Sequence, residues 1–264
     1  MWRCVDLFAN ERQNKIADLL QQQGAITTAE LAEILAVSVE TVRRDLLVME
    51  KNDLLRRVHG GAVLPETMIH FQNLSQRTEK NSDKKQELTQ TALQLVSEND
   101  VIGLDSGSTS VLFAEALSQK FNSLTVVTYS LDVFHILSNC KNFKVILCAG
   151  HFLQKENAFH GFLALETLQK LHMEKVFLCP TAISLRYGLC DYVDELYPLQ
   201  KQLIRCGSEV YVLADSSKFE KRTLIKLDDM NPRYTYLTDP TLPAELKKLY
   251  AENGLRVITR PDDI

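Results

Sequence analysis

The residues of this chain whose types and spacing could do chemistry fall in two places. The first is Ser38-Val39-Glu40-Thr41-Val42-Arg43-Arg44-Asp45-Leu46. Val39, Val42, Leu46 and Met49 recur at helical spacing and form one stripe, so Glu40, Arg43, Arg44 and Leu47 face away from it. An exposed arginine near a helix start can bridge O6 and N7 of a guanine, which discriminates against other bases by about 1–3 kcal/mol. Lysine has no such fork. Further on, Leu54-Leu55-Arg56-Arg57-Val58-His59-Gly60-Gly61-Ala62 follows an Asn52-Asp53 turn signal and suits a strand of a small β-wing. Arg56 and Arg57 would there lie against phosphate or the minor groove. The expected DNA-contacting residues are Ser38, Glu40, Thr41, Arg43, Arg44, Arg56, Arg57 and His59.

The second place is Asp105-Ser106-Gly107-Ser108-Thr109-Ser110, between an apolar run and a helical pattern. Small residues there let backbone N–H groups approach an anion, hydroxyls add donors, and a helix start adds its positive end. No lysine follows in the register of a Walker A loop. Other apolar runs end in Thr128-Tyr129-Ser130, in Ala149-Gly150-His151, and in Ala214-Asp215-Ser216-Ser217-Lys218, which offers a cation. One Ser/Gly loop after a strand is ordinarily a capped turn; several converging on one sheet edge point to a ligand. The expected effector-binding residues are Asp105, Gly107, Ser108, Thr109, Thr128, Ser130, Gly150 and Lys218.

These residues need elements to hold them. Residues 12–23 carry Ile16, Leu19 and Leu20 at helical spacing, and Gly24 ends that helix. Thr28 is expected to cap a second helix with Leu31, Ile34 and Leu35 inward, and Ala36-Val37 to turn the chain. Ser38 then caps the third helix, with Thr41 standing where a full capping box wants Glu or Gln. Two short helices joined by a tight turn, the second exposing arginines, is the arrangement that enters a major groove. Residues 66–82 read as a linker behind Pro65, with a helix from Asp83 to Val96. Beyond it, strands at 101–104, 124–127, 143–147, 175–178 and 210–213 alternate with helices near 111–117, 131–137, 163–171 and 195–206, and a helix at 243–253 precedes a strand at 255–258. Near-continuous apolar strands alternating with helices imply a doubly wound α/β fold with a parallel sheet. The expected domains are a winged helix-turn-helix over 1–65 and an α/β sensor over 83–264.

Bulk composition narrows the reading. The 264 residues carry a net charge of −4, and residues 1–65 hold 8 basic against 9 acidic side chains. DNA binding must therefore rest on a few placed arginines, not on bulk charge. No run approaches the roughly 18 apolar residues of a membrane span. The first residues lack the apolar core of a secretory signal. Six cysteines without a C-x-x-C pair read as reduced thiols of a cytoplasmic protein. No metal, cofactor or membrane partner is expected.

The run from Arg12 to Ala62 resembles the N-terminal domain of the DeoR family of bacterial regulators. The resemblance is carried by Leu31-Ala32, Val37-Ser38, Thr41-Val42-Arg43-Arg44-Asp45-Leu46 and Arg57-Val58-His59-Gly60-Gly61-Ala62. The remainder resembles that family's sensor domain, similar in fold to ribose-5-phosphate isomerase. The matching stretches are Asp105-Ser106-Gly107-Ser108-Thr109, Val126-Val127-Thr128 with Ser130, Gly161, Gly188 with Glu195, and Asp215-Ser216-Ser217-Lys218-Phe219. Arg77 and Lys84 or Lys85 resemble basic positions at the start of the family's sensor domain. The resemblance implies that Arg43 and Arg44 approach DNA, that Asp45 is a structural partner, and that the effector is a phosphorylated sugar bound without turnover. The chain departs from the family pattern at Tyr129 in place of Asn, at Ala149-Gly150-His151 in place of Gly-Gly, and at Cys179-Pro180-Thr181-Ala182.

The expected function is a non-enzymatic regulator that represses carbohydrate-metabolism genes. It would bind double-stranded operator DNA as a homo-oligomer, dimer or tetramer, and be released by a sugar phosphate. Two alternatives stand beside it. One is a sensor domain that has lost its ligand and serves oligomerisation. The other is a sugar-phosphate isomerase drawing on Asp105, Asp191, Glu195, Asp215 and Lys218, among which no paired acid/base motif stands out.

Overall fold

The computed structural model describes residues 9–23, 25–52, 54–58, 60–63 and 74–264. The chain divides into two compact units, 1–71 and 72–264.

The first unit runs α1 (Ala9–Gln23), β1 (Ala25–Thr27), α2 (Thr28–Leu35), α3 (Val39–Lys51), β2 (Arg56–Val58) and β3 (Gly61–Val63). Ile16, Leu20, Leu31, Leu35, Val42, Leu46, Met49 and Leu55 are buried together as its core. The three strands form an antiparallel sheet in the order β1-β3-β2. Thr27, not Thr28, caps α2: its hydroxyl accepts the Glu30 N–H while Glu30 accepts the Thr27 N–H, a full capping box. The reason is β1, which leaves Thr27 extended and ready to cap, while the Thr28 N–H and hydroxyl are both spent on the Gly60 carbonyl. Ala36 closes α2 in the left-handed region at φ 52°. Val39, expected on the inward stripe, is exposed, because it is the first helical residue and stands outside the turns that pack on α1 and α2.

The second unit begins with α4 (Leu74–Glu79) and α5 (Ser82–Ala92), so the stretch read as linker is helical from Leu74 onward. Residues 66–73 lie outside those described. There follow β4 (Val101–Leu104), α6 (Ser108–Lys120), β5 (Thr125–Thr128), α7 (Leu131–Leu137), β6 (Lys144–Leu147), β7 (His151–Leu153), β8 (Ala158–His160), α8 (Phe162–Gln169) and β9 (Met173–Leu178). The chain then continues through β10 (Ala182–Ser184), β11 (Gly188–Asp191), α9 (Tyr197–Cys206), β12 (Gly207–Leu213), β13 (Ile225–Asp228), β14 (Tyr234–Leu237), α10 (Ala244–Glu252) and β15 (Arg256–Ile258).

Seven strands make a parallel sheet in the order β15-β14-β12-β9-β4-β5-β6. Alternate residues serve its two faces. Ile102 and Leu104 of β4 pack with Leu88, Phe113, Leu117 and Val133 of α5, α6 and α7. Gly103 between them faces the other way, where a Cβ would crowd Leu203 of α9 and Met173 and Val176 of β9. The sheet is therefore covered on both sides, which is why its strands read as unbroken apolar runs. The antiparallel pairs β7-β8 and β10-β11-β13 lie outside that sheet and are not foreseen by apolar patterning.

Strand order reverses between β4 and β9: β5 and β6 extend to one side, and β9, β12, β14 and β15 to the other. In open α/β sheets the crevice at the carboxyl ends of the strands on either side of such a reversal is where ligands bind. Asp105 follows β4 and Cys179 follows β9, so this fold places both at that crevice. None of the described helices is long and apolar enough to cross a membrane.

Candidate functional site

On the first unit, α3 presents its outward face. The Ser38 hydroxyl accepts the Thr41 N–H at 3.1 Å and lies 2.9 Å from the Thr41 hydroxyl, so both residues are engaged in starting the helix. Arg43 and Arg44 are exposed. Arg43 Nη1 stands 3.8 Å from Glu40 Oε2, with both side chains more than half exposed. Such a surface pair contributes at most about 1 kcal/mol and yields readily to a phosphate or a base edge. Asp45 points the other way, buried, and accepts Arg12 Nε at 2.7 Å and Nη2 at 3.2 Å. This two-point pair locks α1 to α3 and sets the angle at which the arginines are offered. Asp45→Asn keeps an acceptor and loses the charge; it is expected to cost about 2 kcal/mol, read as earlier loss of amide protection in α1 and α3 under urea.

Arg56, Arg57 and Val58 are exposed along β2. The Arg57 N–H donates to Glu50 Oε1 at 2.8 Å, and its guanidinium lies 3.9 Å from the same carboxylate, so β2 is pinned beside the last turns of α3. His59 lies outside the described residues.

On the second unit, Asp105 is fully buried and its carboxylate takes four donors. Oδ1 accepts the Ser106 N–H at 2.7 Å and the Tyr129 hydroxyl in a close contact; Oδ2 accepts the Cys179 N–H at 2.9 Å and Gln200 Nε2 at 3.4 Å. Burial pushes this carboxyl up to about 6, against the pull of its hydrogen bonds. Gln200 Nε2 also reaches Asp191 Oδ2 at 2.9 Å, and Asp191 accepts the Thr181 hydroxyl at 3.0 Å. One glutamine thus separates two buried carboxylates. The Tyr129 departure from the family pattern has a structural consequence: the ring is fully buried and its hydroxyl is committed to Asp105.

Above this network α6 begins. Gly107 takes φ +116°, a conformation L side chains rarely adopt, and hands over to buried Ser108 and Thr109. Thr109 Oγ1 is buried with no hydrogen-bond partner among the described residues. A Cβ on Gly107 would lie 3.8 Å from Arg77 Nη1. Arg77, on α4, is ion-paired in a close contact with buried Glu156, and its guanidinium sits 5.6 Å from the centre of the Tyr192 ring. Lys85 on α5 donates to the carbonyls of Arg77 and, at 2.6 Å, Lys80. Burial and then the neighbouring charge of Lys218 bring the Lys85 ammonium down to about 8. Lys218 Nζ donates to the Pro180 carbonyl at 3.0 Å, just past β9, and Lys84 Nζ reaches the Ser216 hydroxyl at 2.8 Å. A helix start, an orphaned hydroxyl and buried or half-buried cations form an environment suited to an anion of phosphate size.

Two family models match this chain: residues 12–68 match the DeoR-like helix-turn-helix domain, and residues 80–240 the DeoR C terminal sensor domain. The chain belongs to the DeoR family. It is a helix-turn-helix transcriptional regulator. It is 36% identical over 250 residues to the L-fucose operon activator of Haemophilus influenzae, covering 94% of this chain and 99% of that one. With the transcriptional regulator GolR of Listeria innocua it shares 31% over 251 residues, 95% of this chain and 98% of that one. With the lactose phosphotransferase system repressor of Streptococcus mutans it shares 32% over 244 residues, 90% and 95%. A ribose 5-phosphate isomerase A from Methanocaldococcus jannaschii aligns with TM-score 0.40 at 18% identity, over 53% of this chain and 55% of that one, a likeness too slight to carry an argument.

In this DeoR chain the sensor residues foreseen from sequence divide into two groups. Gly107, Ser108 and Thr109 build the start of α6, with Asp105 beneath it, and Lys218 stands over the end of β9. Thr128, Ser130 and Gly150 are spent elsewhere. The Thr128 hydroxyl accepts the Ser130 N–H at 3.1 Å, and the Ser130 hydroxyl caps α7 through the Val133 N–H at 3.3 Å. At Gly150 a Cβ would collide with the His160 carbonyl, so glycine there lets β8 approach. Glu156 and Gln200 are not foreseen, because nothing in their local sequence marks them; each gains its role from a partner 79 or 95 positions away.

Proposed function

We propose that this regulator represses carbohydrate-metabolism genes, holds its operator through α3 and the β2-β3 wing, and releases it when a phosphorylated sugar occupies the β4/β9 crevice. The observation that carries the effector is Arg77 beside Gly107 at the α6 N-terminus, with Lys85 on the Arg77 carbonyl and Lys218 at the end of β9, next to the point where strand order reverses. We assign DNA contact to the unit before residue 72 and the effector to the unit after it, with a homo-oligomer presenting two recognition helices about one DNA turn apart. The relatives' names support a carbohydrate role: an L-fucose operon activator and a lactose phosphotransferase system repressor. They differ in sign, so transcription from the bound promoter with and without the chain tests repression directly.

Release requires that the sugar phosphate bind the DNA-incompetent state more tightly; equal affinity for both states shifts nothing. The engagement of Asp105 by four donors supports binding without turnover, because this carboxylate is committed to holding β4, β5, β9 and α9 together. A panel of pentose and hexose phosphates tests the effector by thermal shift. A true ligand at a hundredfold over its Kd should stabilise by about 2.7 kcal/mol. A panel without any shift would leave the crevice without its proposed ligand and favour a sensor unit kept for oligomerisation.

A further inference from the structure

We propose that Glu156 is the site's internal anion: its carboxylate holds Arg77 until a phosphate at the start of α6 takes the guanidinium over and frees the 154–157 turn. This rests on the reading of the β4/β9 crevice as an anion site and adds the residue against which the ligand competes.

The pairing of Arg77 with Glu156 is only half made. Glu156 is buried and Arg77 largely so, and Nη2 meets Oε2 in a close contact, yet the atoms Arg77 Nε and Glu156 Oε1 are buried with no hydrogen-bond partner among the described residues. A guanidinium and a carboxylate that fit each other engage through two parallel bonds and leave neither atom orphaned. Leaving a buried polar group unpaired is costly. A phosphate presents three oxygens and can meet Nε and an Nη together, so the exchange satisfies a donor that Glu156 does not. The surroundings also press on Glu156. Burial pushes its carboxyl up although Arg77 pulls it down, and the negative charge of Asp191 pushes it up further. Arg77 already stands beside Gly107, so the guanidinium need not travel to reach an anion seated on the first turn of α6.

The turn that carries Glu156 is built to report the exchange. Gln154–Glu156 is one short helical turn between β7 and β8, closed by Asn157 at φ 46°. It is tethered to the start of α7 at two points: the Leu131 N–H donates to the Asn157 carbonyl at 2.9 Å, and Asn157 Nδ2 reaches Asp132 Oδ1 at 2.6 Å. Lys155 lies 3.0 Å from Glu195 in a partly exposed pair. When Glu156 leaves Arg77, the turn loses this anchor to α4 while its ties to α7 remain. Occupancy of the crevice is thereby coupled to the β7-β8 hairpin.

The test uses the full chain and inorganic phosphate. Calorimetric titration compares the wild type, Glu156→Gln, and the double variant Glu156→Gln with Arg77→Gln. Removing the charged competitor should tighten phosphate binding about tenfold or more, and removing Arg77 as well should abolish that gain. In the wild type, saturating phosphate should raise hydrogen exchange at the amides of residues 154–160, a readout that needs no variant and stands if Glu156→Gln does not fold. Phosphate binding that is equal in wild type and Glu156→Gln, or that leaves exchange at 154–160 unchanged or slowed, overturns the exchange and leaves the crevice reading standing. No phosphate binding by any of the three proteins overturns both.

Discussion

Asp105→Ala is expected to destabilise the second unit by about 4 kcal/mol, because it strands buried donors that converge on one carboxylate. The Ser106 and Cys179 N–H groups and the Tyr129 hydroxyl lose their acceptor at once, while Gln200 Nε2 keeps only Asp191. Two of these tie β4 to β5 and β9, so the damage falls at the centre of the seven-stranded sheet. Asp105 also gives the wild type a characteristic pH dependence. Its carboxyl ionises at about 6 in the fold against an ordinary value of 3.8, so between those values the native state holds the proton more firmly than the unfolded chain. Its contribution is therefore fully present below about pH 4 and falls as pH rises toward 6, by an amount on the order of 3 kcal/mol. Subtracting the urea midpoints of Asp105→Ala from those of the wild type at pH 4, 5, 6 and 7 isolates this group, and the difference should shrink across that window. Tyr129→Phe removes a bond that favours the ionised form, so it should move the window upward. A well-folded Asp105→Ala with wild-type midpoints at all four values would return Asp105 to the role of a ligand contact.

How much of this was legible from the amino acids depends on range. The central strands β4, β5, β9 and β12 announce themselves because burial on both faces demands unbroken apolar runs such as Val101-Ile102-Gly103-Leu104. β14 hides because Tyr234-Thr235-Tyr236-Leu237 mixes tyrosines whose hydroxyls find partners in Asp228 and the Asn231 carbonyl, a pattern apolar counting passes over. β7, β8 and β10 are three residues each, too short for any period. At the level of the site, the start of α6 proposed to seat an anion is local and shows in Gly107-Ser108-Thr109, whereas its surroundings are not. Tyr129, Gln200 and Glu156 are ordinary residues in their own segments, and each meets its partner only through the fold: Tyr129 meets Asp105 across the β4-β5 pairing, Gln200 meets it from α9, and Glu156 meets Arg77 of α4. The capping box at Thr27 and Glu30 was displaced by one residue for the same reason: β1 pairing with β3, a non-local fact, fixes where α2 can begin.

The proposed DNA-contacting face is the opposite case, since the residues assigned to it are local, and there the expected result is a large loss from small changes. Arg43→Ala and Arg44→Ala should each weaken operator binding by about 1–3 kcal/mol, roughly five- to 150-fold. Their stability should stay within about 0.5 kcal/mol of wild type, because both side chains are exposed and off the stripe of Val42, Leu46 and Met49 that packs the helix down. The two kinds of contact separate by salt. An arginine that reads a base relaxes specificity at one operator position, whereas one that meets phosphate weakens all sequences alike and lowers the salt slope by about one. Arg57 is pinned to Glu50 by backbone and guanidinium, which suits a fixed phosphate contact, so Arg57→Ala should fall in the second class. Footprints and salt titrations of the three variants on the chain's own promoter decide the matter. If Arg43→Ala and Arg44→Ala both protect the same sequence with unchanged affinity and slope, α3 is not the reading helix. A regulator with 8 basic and 9 acidic residues in its first 65 has no bulk charge to compensate, so losing either arginine cannot be masked by non-specific attraction.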